Sequence, residues 1–173
     1  MEYLLNWNLG KEVNDLENPF VIALISYGIG NFCWAYILGK IFKKEDVRES
    51  GSKNAGATNA LRVYGKKIGA LAFILDLLKA ILAVYIGGKF LGYNGKLVAG
   101  VSVVLGHNYP IFLGFKGGKG IAASIGVMLS LHWPTALVCI LIGILVIIKS
   151  RYVSLGSVTA AALVPFIGLV MNR

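Results

Sequence analysis

Long runs of apolar residues dominate this chain, and they predict a membrane protein built from helices. Six such runs occur, at about Pro19–Phe42, Ile68–Phe90, Leu97–Phe115, Ile121–Leu131, Pro134–Ile148 and Leu155–Met171. A helix needs about 20 residues to cross the hydrocarbon core, so the fourth and fifth runs are short, and such short or broken helices often line a cavity. The pattern predicts one all-α domain over residues 1–173, a polytopic membrane helix bundle with about six transmembrane helices.

The composition agrees with this prediction. Hydrophobic residues make up 57% of the 173 residues, and charged residues only 14%. A soluble domain has about 25% charged and about 45–50% apolar residues. A water-soluble globular protein is therefore excluded.

The distribution of basic residues predicts the orientation of the bundle. The chain has 17 Lys and Arg residues against 8 Asp and Glu, and 12 of the 17 fall in the loops at 40–67, 116–119 and 149–151. Alternating crossings put these loops on one side, and cytoplasmic loops collect Lys and Arg. We therefore expect them in the cytoplasm, with residues 1–18 outside. Most of this charge, chiefly the cluster at 40–48, would set orientation and meet anionic lipid; no nucleic acid partner is expected.

Asp76 and Lys79 are a charged pair inside the second apolar run. Residues three apart share a helix face and can form an ion pair. An unpaired charge at mid-bilayer costs at least about 2.5–3.5 kcal/mol, so both residues are expected to face the bundle interior. A structural ion pair is favoured, and a direct role in a site is the alternative.

The first cytoplasmic loop is rich in hydrogen-bond donors. It reads Ser50-Gly51-Ser52-Lys53-Asn54-Ala55-Gly56-Ala57-Thr58-Asn59 and is followed by Arg62. Glycines allow successive backbone N–H groups to point at one anion, and a guanidinium can bind phosphate oxygens bidentately. A plain polar turn is the alternative, but it needs only about 2–8 residues. The loop therefore predicts a surface for an anion.

A second anion-binding pattern precedes the short fourth run. Gly117-Gly118-Lys119-Gly120 leads into a helix N-terminus, and Gly106-His107-Asn108-Tyr109-Pro110 lies just upstream. Free N–H groups and the positive end of a helix dipole attract an anion, which Lys119 would neutralise. A Walker A loop would need Ser or Thr after the lysine, where this chain has Gly120. An NTPase is therefore not expected.

The sequence has few residues placed for acid–base catalysis or metal binding. No group of His, Cys, Asp or Glu has metal-ligand spacing, so neither a metal nor another cofactor is predicted. No carboxylate follows His107 at a short spacing, so no histidine–carboxylate base is predicted. The third basic loop adds Ser157 at a helix start on the same side. The residues indicate a cytoplasmic site that binds and positions phosphate groups.

Five linked motifs resemble those of the bacterial membrane acyl-phosphate:glycerol-3-phosphate acyltransferases, and the likeness extends from about Tyr27 to Pro165. They are the stretch 50–62, the Asp76/Lys79 pair, Gly-His-Asn-Tyr-Pro, Phe-Lys-Gly-Gly-Lys-Gly and Ser-Leu-Gly-Ser at 154–157. The resemblance implies transfer of a fatty acyl group from acyl phosphate to the 1-hydroxyl of sn-glycerol 3-phosphate, giving lysophosphatidic acid and phosphate. This is the first acylation of phospholipid biosynthesis. The family has seven helices, of which six would fall in this sequence.

The resemblance and the two loops together give the candidate site residues. The expected catalytic residues are Ser50, Arg62, Lys119 and Ser157. The expected substrate-binding residues are Gly51, Asn54, Gly56, Thr58, Asn59, His107, Asn108, Gly117 and Gly118. The implied partners are acyl phosphate, sn-glycerol 3-phosphate and membrane lipid, in a bacterial inner-membrane protein for which a monomer is plausible.

A membrane transporter of a phosphorylated or anionic solute is the alternative function, since basic loops and broken helices suit it as well. A transporter predicts polar residues along a path across the membrane. Apart from Asp76 and Lys79, the polar residues here gather on the predicted cytoplasmic side. A non-catalytic membrane-interaction protein would not need the donor-rich loop. The enzyme is therefore favoured.

Overall fold

A computed structural model describes residues 18–171. Its six α-helices are α1 (Pro19–Gly30), α2 (Trp34–Phe42), α3 (Ala57–Tyr64), α4 (Lys66–Asn108), α5 (Ile121–Ser150) and α6 (Val153–Met171). Short 3-10 helices occupy Val47–Glu49 and Ile111–Leu113. No strand occurs between residues 18 and 171, so the predicted all-α class is confirmed. Residues 1–18 are predicted to lie on the extracytoplasmic side of the membrane, and of these the structure describes only residue 18.

Four helical stretches of the described chain are long and apolar enough to cross a membrane. They are Pro19–Phe42, Lys66–Leu113, Ile121–Ser150 and Val153–Met171. Their length and composition agree with the predicted membrane bundle. The number of about six crossings stays a prediction.

The first apolar run forms two helices, not the single helix predicted. The chain leaves helical geometry between Gly30 and Trp34. The Asn31 side chain stabilises this break, because its Nδ2 donates to the Tyr27 carbonyl at 2.6 Å and its Oδ1 accepts from the Ile111 amide at 2.6 Å. A polar residue thus ties the end of α1 to the segment that precedes residues 117–120, the glycine-rich turn.

Helix α4 consists of two antiparallel arms, 66–90 and 93–108. Leu91 and Gly92 have non-helical backbone angles, with φ of +57° at Gly92. Residues eight apart would lie about 12 Å apart along a continuous helix, yet a Cβ on Gly87 would overlap the Gly95 carbonyl. The chain therefore folds back at Gly92, as the gap between the second and third apolar runs predicts.

The fourth and fifth apolar runs form one element, α5, with a kink. The backbone of His132 is non-helical, with φ of −154° and ψ of +85°, and Pro134 follows. Pro134 has no N–H to donate to the preceding turn, which interrupts the hydrogen bonding of the helix. Next to it, the Thr135 amide donates to the His132 Nδ1 at 3.3 Å. The predicted interruption is therefore present but confined to a single non-helical residue.

Small residues allow the helices to pack closely. A Cβ on Gly30 would lie 2.9 Å from the Gly106 Cα, and one on Gly106 would overlap the Tyr27 carbonyl. Alanines fill much of the buried contact between α4 and α5. Such close approach favours helix association in membranes, where lipid supplies no hydrophobic driving force. The contact at Gly106 also fixes the position of its neighbour, His107.

The first loop, which is predicted to be cytoplasmic, contains a helix that its sequence pattern does not predict. Residues 57–64 form α3, so Thr58 and Arg62 stand on a helix and not on an open loop. The helix is only eight residues long and lacks an apolar run, which is why periodicity alone does not reveal it. Residues four apart share a helix face, so the two side chains lie on the same exposed side of α3.

Candidate active site

The two glycine-rich loops meet in space, although more than 50 residues separate them in sequence. The Ala55 amide donates to the Gly117 carbonyl at 3.3 Å, and the Asn54 Nδ2 donates to the same oxygen at 3.3 Å. These contacts bring the segments 50–62 and 117–120 together as one surface.

Asn59 holds the first loop in shape from within. Its side chain is buried, with 2% of the residue exposed. Its Nδ2 donates to three carbonyl oxygens at 2.7–3.0 Å, and its Oδ1 accepts from the Ser52 amide at 2.8 Å. Gly51, at φ of +61°, packs directly against the Asn59 side-chain amide, and a Cβ there would overlap Asn59 Oδ1. The Asn59 side chain therefore makes its hydrogen bonds with the backbone of the first loop and the residues just before it.

The glycine-rich turn rests on the end of α4. The Gly117 amide donates to the Asn108 carbonyl at 3.1 Å, and the Gly118 amide donates to the His107 carbonyl at 3.0 Å. A Cβ on Gly118 would overlap the His107 Nε2, so this position accommodates only glycine without movement of the ring. Gly120 adopts the left-handed conformation, with φ of +73°, that glycine tolerates best.

Two helix N-termini open at this surface without a side-chain cap. Helix α3 begins after Gly56 and α5 begins after Gly120, and neither N-cap residue offers a side-chain hydrogen bond. A Cβ on Gly56 would lie 3.9 Å from the Lys119 amide nitrogen, so the α3 terminus adjoins the turn before α5. Free N–H groups and the positive dipole ends of two helices therefore meet at one place.

Four candidate side chains at this surface are exposed, those of Ser50, Thr58, Arg62 and Lys119. Within residues 18–171, none of these side chains makes a hydrogen bond or an ion pair. Thr58 lies in the first turn of α3 and Lys119 directly precedes the N-cap of α5, whereas Arg62 lies in the last turn of α3. This combination of donors suits an anion with several oxygens.

Ser157 lies apart from the two loops. Its Oγ donates to the Val153 carbonyl of its own helix at 2.9 Å. That helix, α6, packs against α5. In the described part of the chain, no hydrogen bond joins Ser157 to the first loop or to the glycine-rich turn.

Asp76 and Lys79 form the predicted ion pair, with Lys79 Nζ 2.8 Å from Asp76 Oδ1. Both residues are buried, and His107 is buried beside them with its Nδ1 3.4 Å from the same carboxylate oxygen. His107 therefore has a carboxylate contact partner that its local sequence does not predict, but at 3.4 Å this contact is longer than an N–H···O hydrogen bond, and the absence of a histidine–carboxylate base stays a prediction. The partner stands 31 positions earlier in the chain, on the opposite arm of α4, where spacing along the sequence gives no signal.

Lys79 also caps the interrupted first helix. Its Nζ donates to the Gly30 carbonyl at 3.0 Å and to the Phe32 carbonyl at 2.6 Å. The break after α1 leaves these carbonyl oxygens without helical partners, and a cation is favourable at the negative end of a helix. One buried ammonium group thus joins α1, both arms of α4 and His107.

Arg48 connects the first loop to the segment 110–115. Its guanidinium binds both carboxylate oxygens of Asp46, at 2.8 Å for the closest pair, and donates to the Leu113 carbonyl at 2.9 Å. These hydrogen bonds hold the pKa of Asp46 below its ordinary value. Arg48 belongs to the basic cluster at 40–48 that is expected to set orientation and meet anionic lipid, and these hydrogen bonds give it an additional structural role.

Comparison with known proteins identifies the family of this chain. Residues 20–172 match the family model described as glycerol-3-phosphate acyltransferase. The glycerol-3-phosphate acyltransferase of Thermoanaerobacter pseudethanolicus is 50% identical, over 80% of this chain and 70% of the relative. That of Alkaliphilus metalliredigens is 45% identical, over 84% of this chain and 75% of the relative.

Solved structures give the same result. The crystal structure of PlsY (YgiH), an integral membrane glycerol 3-phosphate acyltransferase in its glycerol 3-phosphate form, superposes with a TM-score of 0.82 at 37% identity. The match covers 88% of this chain and 77% of that one. The lysophosphatidic acid form gives a TM-score of 0.79 at 35% identity. This chain therefore belongs to the glycerol-3-phosphate acyltransferase family of integral membrane enzymes.

Proposed function

We propose that this protein transfers a fatty acyl group from acyl phosphate to the 1-hydroxyl of sn-glycerol 3-phosphate. The hydroxyl oxygen forms a bond to the acyl carbon, and the bond between that carbon and the bridging phosphate oxygen breaks. The products are lysophosphatidic acid and inorganic phosphate. Membership of an acyltransferase family favours this enzyme over a transporter.

The observation that carries the proposal is the meeting of two uncapped helix N-termini, α3 and α5, beside an exposed Lys119. Both substrates carry a phosphate group, so the site must stabilise two anions. Backbone N–H groups fixed by the fold stabilise charge on a departing phosphate without reorganisation. Lys119 adds a full positive charge where that phosphate would leave.

The proton of the attacking hydroxyl needs an acceptor. His107 is 2% exposed and lies behind Gly118, with its Nδ1 turned toward Lys79 and Asp76. A phosphate oxygen of a substrate can accept the proton instead, because it already lies at the reacting centre. We therefore assign proton acceptance to the substrate and charge stabilisation to the protein.

We assign the acyl phosphate to the glycine-rich turn and Ser50, with Ser157 near its acyl chain. Glycerol 3-phosphate would bind Arg62, Thr58 and Asn54, with Gly56, His107 and Asn108 close by. Asn59 and Gly51 serve this site as the frame of the first loop, since the Asn59 amide is hydrogen-bonded internally. The reaction needs no cofactor, because acyl phosphate is already activated.

The basic loops support a cytoplasmic site in the bacterial inner membrane. The stretch Pro19–Phe42 would cross the membrane once, each arm of α4 once and α6 once. If the kink at His132 separates two spans, α5 would cross twice, which gives about six crossings. The N-terminus would then lie outside. A monomer is sufficient for the proposed site, because both loops come from one chain.

Product formation by matched lysine variants tests the proposal. Purified protein receives acyl phosphate and glycerol 3-phosphate, and lysophosphatidic acid is quantified. Lys119→Ala should lower turnover by about 10²–10³-fold, as loss of a group that stabilises developing charge does. Lys116→Ala removes an exposed charge of the same loop and should change turnover by less than about threefold. Equal losses in both variants, or a greater loss in His107→Ala than in Lys119→Ala, would contradict the proposal.

A further inference from the structure

The buried cluster of Asp76, Lys79 and His107 lies directly behind the glycine-rich turn. All three residues are at most 6% exposed, and they join α1 to both arms of α4. The proposed chemistry uses neither Asp76 nor Lys79. A structural ion pair would explain their contact with each other, but it leaves the contact of Lys79 with the imidazole unexplained.

Lys79 restricts where His107 can carry its proton. Lys79 Nζ lies 2.9 Å from His107 Nδ1, whereas Asp76 Oδ1 lies at 3.4 Å from the same nitrogen. A lysine ammonium has donors only, so the ring nitrogen that faces it must accept. The longer contact to the carboxylate exceeds the usual range of an N–H···O bond, about 2.7–3.2 Å. The proton of a neutral ring then resides on Nε2.

Asp76 supplies the counter-charge of the Lys79 ammonium. Its carboxylate lies 2.8 Å from the ammonium, in an ion pair outside hydrogen-bond geometry, and neither oxygen accepts a hydrogen bond within the described residues. An ammonium group has donors only, whereas a neutral amine has a lone pair and could accept a hydrogen bond from the ring N–H. The carboxylate therefore secures the donor character of Lys79 on which the His107 proton depends.

We infer that Asp76 and Lys79 are positioning residues that hold His107 neutral with its proton on Nε2, so that the ring presents a fixed N–H donor beside Gly118. The Nε2 lies where a Cβ of residue 118 would be. The lack of a side chain there brings this N–H up to the glycine-rich turn. Resting on the proposed function, the inference makes the donor a ligand of a substrate phosphate oxygen.

Nuclear magnetic resonance of the ring nitrogens tests the tautomer without any activity measurement. The whole protein is labelled with 15N in its histidine rings and reconstituted in nanodiscs at neutral pH. His132→Gln removes the other histidine, which assigns the signals of His107. We expect an unprotonated Nδ1 and a protonated Nε2. A proton on Nδ1, or a doubly protonated ring, overturns the inference.

Lys79→Met keeps the length of the side chain but removes its charge and donors. We expect the His107 proton to shift to Nδ1 in a substantial fraction of molecules, facing Asp76. An unchanged Nε2–H tautomer in this variant would show that Lys79 does not set it, and would overturn the inference. If Lys79→Met fails to fold, the wild-type spectrum and the following pair of variants carry the test.

Two substitutions of His107 separate donor placement from ring packing. Glutamine carries its amide N–H as many bonds from Cα as His107 Nε2, whereas asparagine carries it at the position of Nδ1. His107→Gln should therefore retain about tenfold more turnover than His107→Asn, since a hydrogen bond to a charged group is worth about that factor or more. Equal turnover of the two variants overturns the inference. If the wild-type protein has the Nε2–H tautomer but makes no product from acyl phosphate, the proposed function fails while the tautomer assignment stands.

Discussion

Replacing Asn59 should open the first loop without disturbing the transmembrane helices. The two N–H groups of its amide are shared among the carbonyl oxygens of Val47, Ser50 and Asn54, and its oxygen accepts from the Ser52 amide. At roughly 1 kcal/mol net for each of about three hydrogen bonds, Asn59→Ala should destabilise the closed loop by about 3 kcal/mol. The open population should then rise about 100-fold, at 1.4 kcal/mol for each factor of ten.

Hydrogen exchange in nanodiscs measures this change directly. The hydrogen-bonded backbone amides of Ser52, Lys53 and Ala55 should exchange about 100-fold faster in Asn59→Ala, while the amides of α4 and α5 keep their rates. Asn59→Asp keeps the shape of the side chain but turns a carboxylate toward three carbonyl oxygens, so it should accelerate exchange in the first loop at least as much as Asn59→Ala does. Thr58→Ala alters an exposed neighbour and should shift stability by less than about 0.5 kcal/mol. Unchanged exchange at 50–56 in both Asn59 variants would refute the assigned role.

Three further predictions follow from other contacts. Gly118→Ala should reduce turnover because its Cβ overlaps the His107 ring, and a double-mutant cycle with His107→Ala should show strong non-additivity; additive losses would contradict the contact. The pKa of Asp46 is lowered by folding, so its stabilisation is full above the ordinary aspartate value of about 3.9 and is lost as the pH falls through the folded value. The difference in unfolding midpoint between wild type and Asp46→Asn should therefore shrink below about pH 4, and a constant difference would argue against it. Gly106→Ala places a Cβ into backbone and should lower the midpoint strongly, whereas Gly28→Ala, with open space around it, should not; equal midpoints would contradict the close helix crossing.

The helical bundle could be predicted from the sequence because lipid imposes long apolar runs on whatever crosses it. The reversal at Gly92 coincides with a gap between two such runs. The interruption at residues 31–33 does not coincide with such a gap, because a single asparagine in an apolar run leaves the hydropathy of that run high. That break depends on partners elsewhere, namely the Ile111 amide and the Lys79 ammonium.

The candidate site was predictable where the chemistry is local. Glycine-rich segments and a lysine before a helix indicate an anion site from a few adjacent residues. Contacts between distant segments carry no such signal, and the Asp76–His107 contact and the Arg48–Leu113 hydrogen bond are of this kind. The roles of Asn59 and Arg48 as organisers of the loop emerge only when their partners are known.

The choice of acyl donor tests the central proposal most directly. Purified protein is supplied with glycerol 3-phosphate and either palmitoyl phosphate or palmitoyl-CoA, and lysophosphatidic acid and inorganic phosphate are measured together. The proposed site, in which backbone N–H groups and Lys119 would stabilise a leaving phosphate, predicts product from palmitoyl phosphate alone, with one phosphate released for each lysophosphatidic acid formed. Product from palmitoyl-CoA in the absence of acyl phosphate, or none from palmitoyl phosphate, would contradict it.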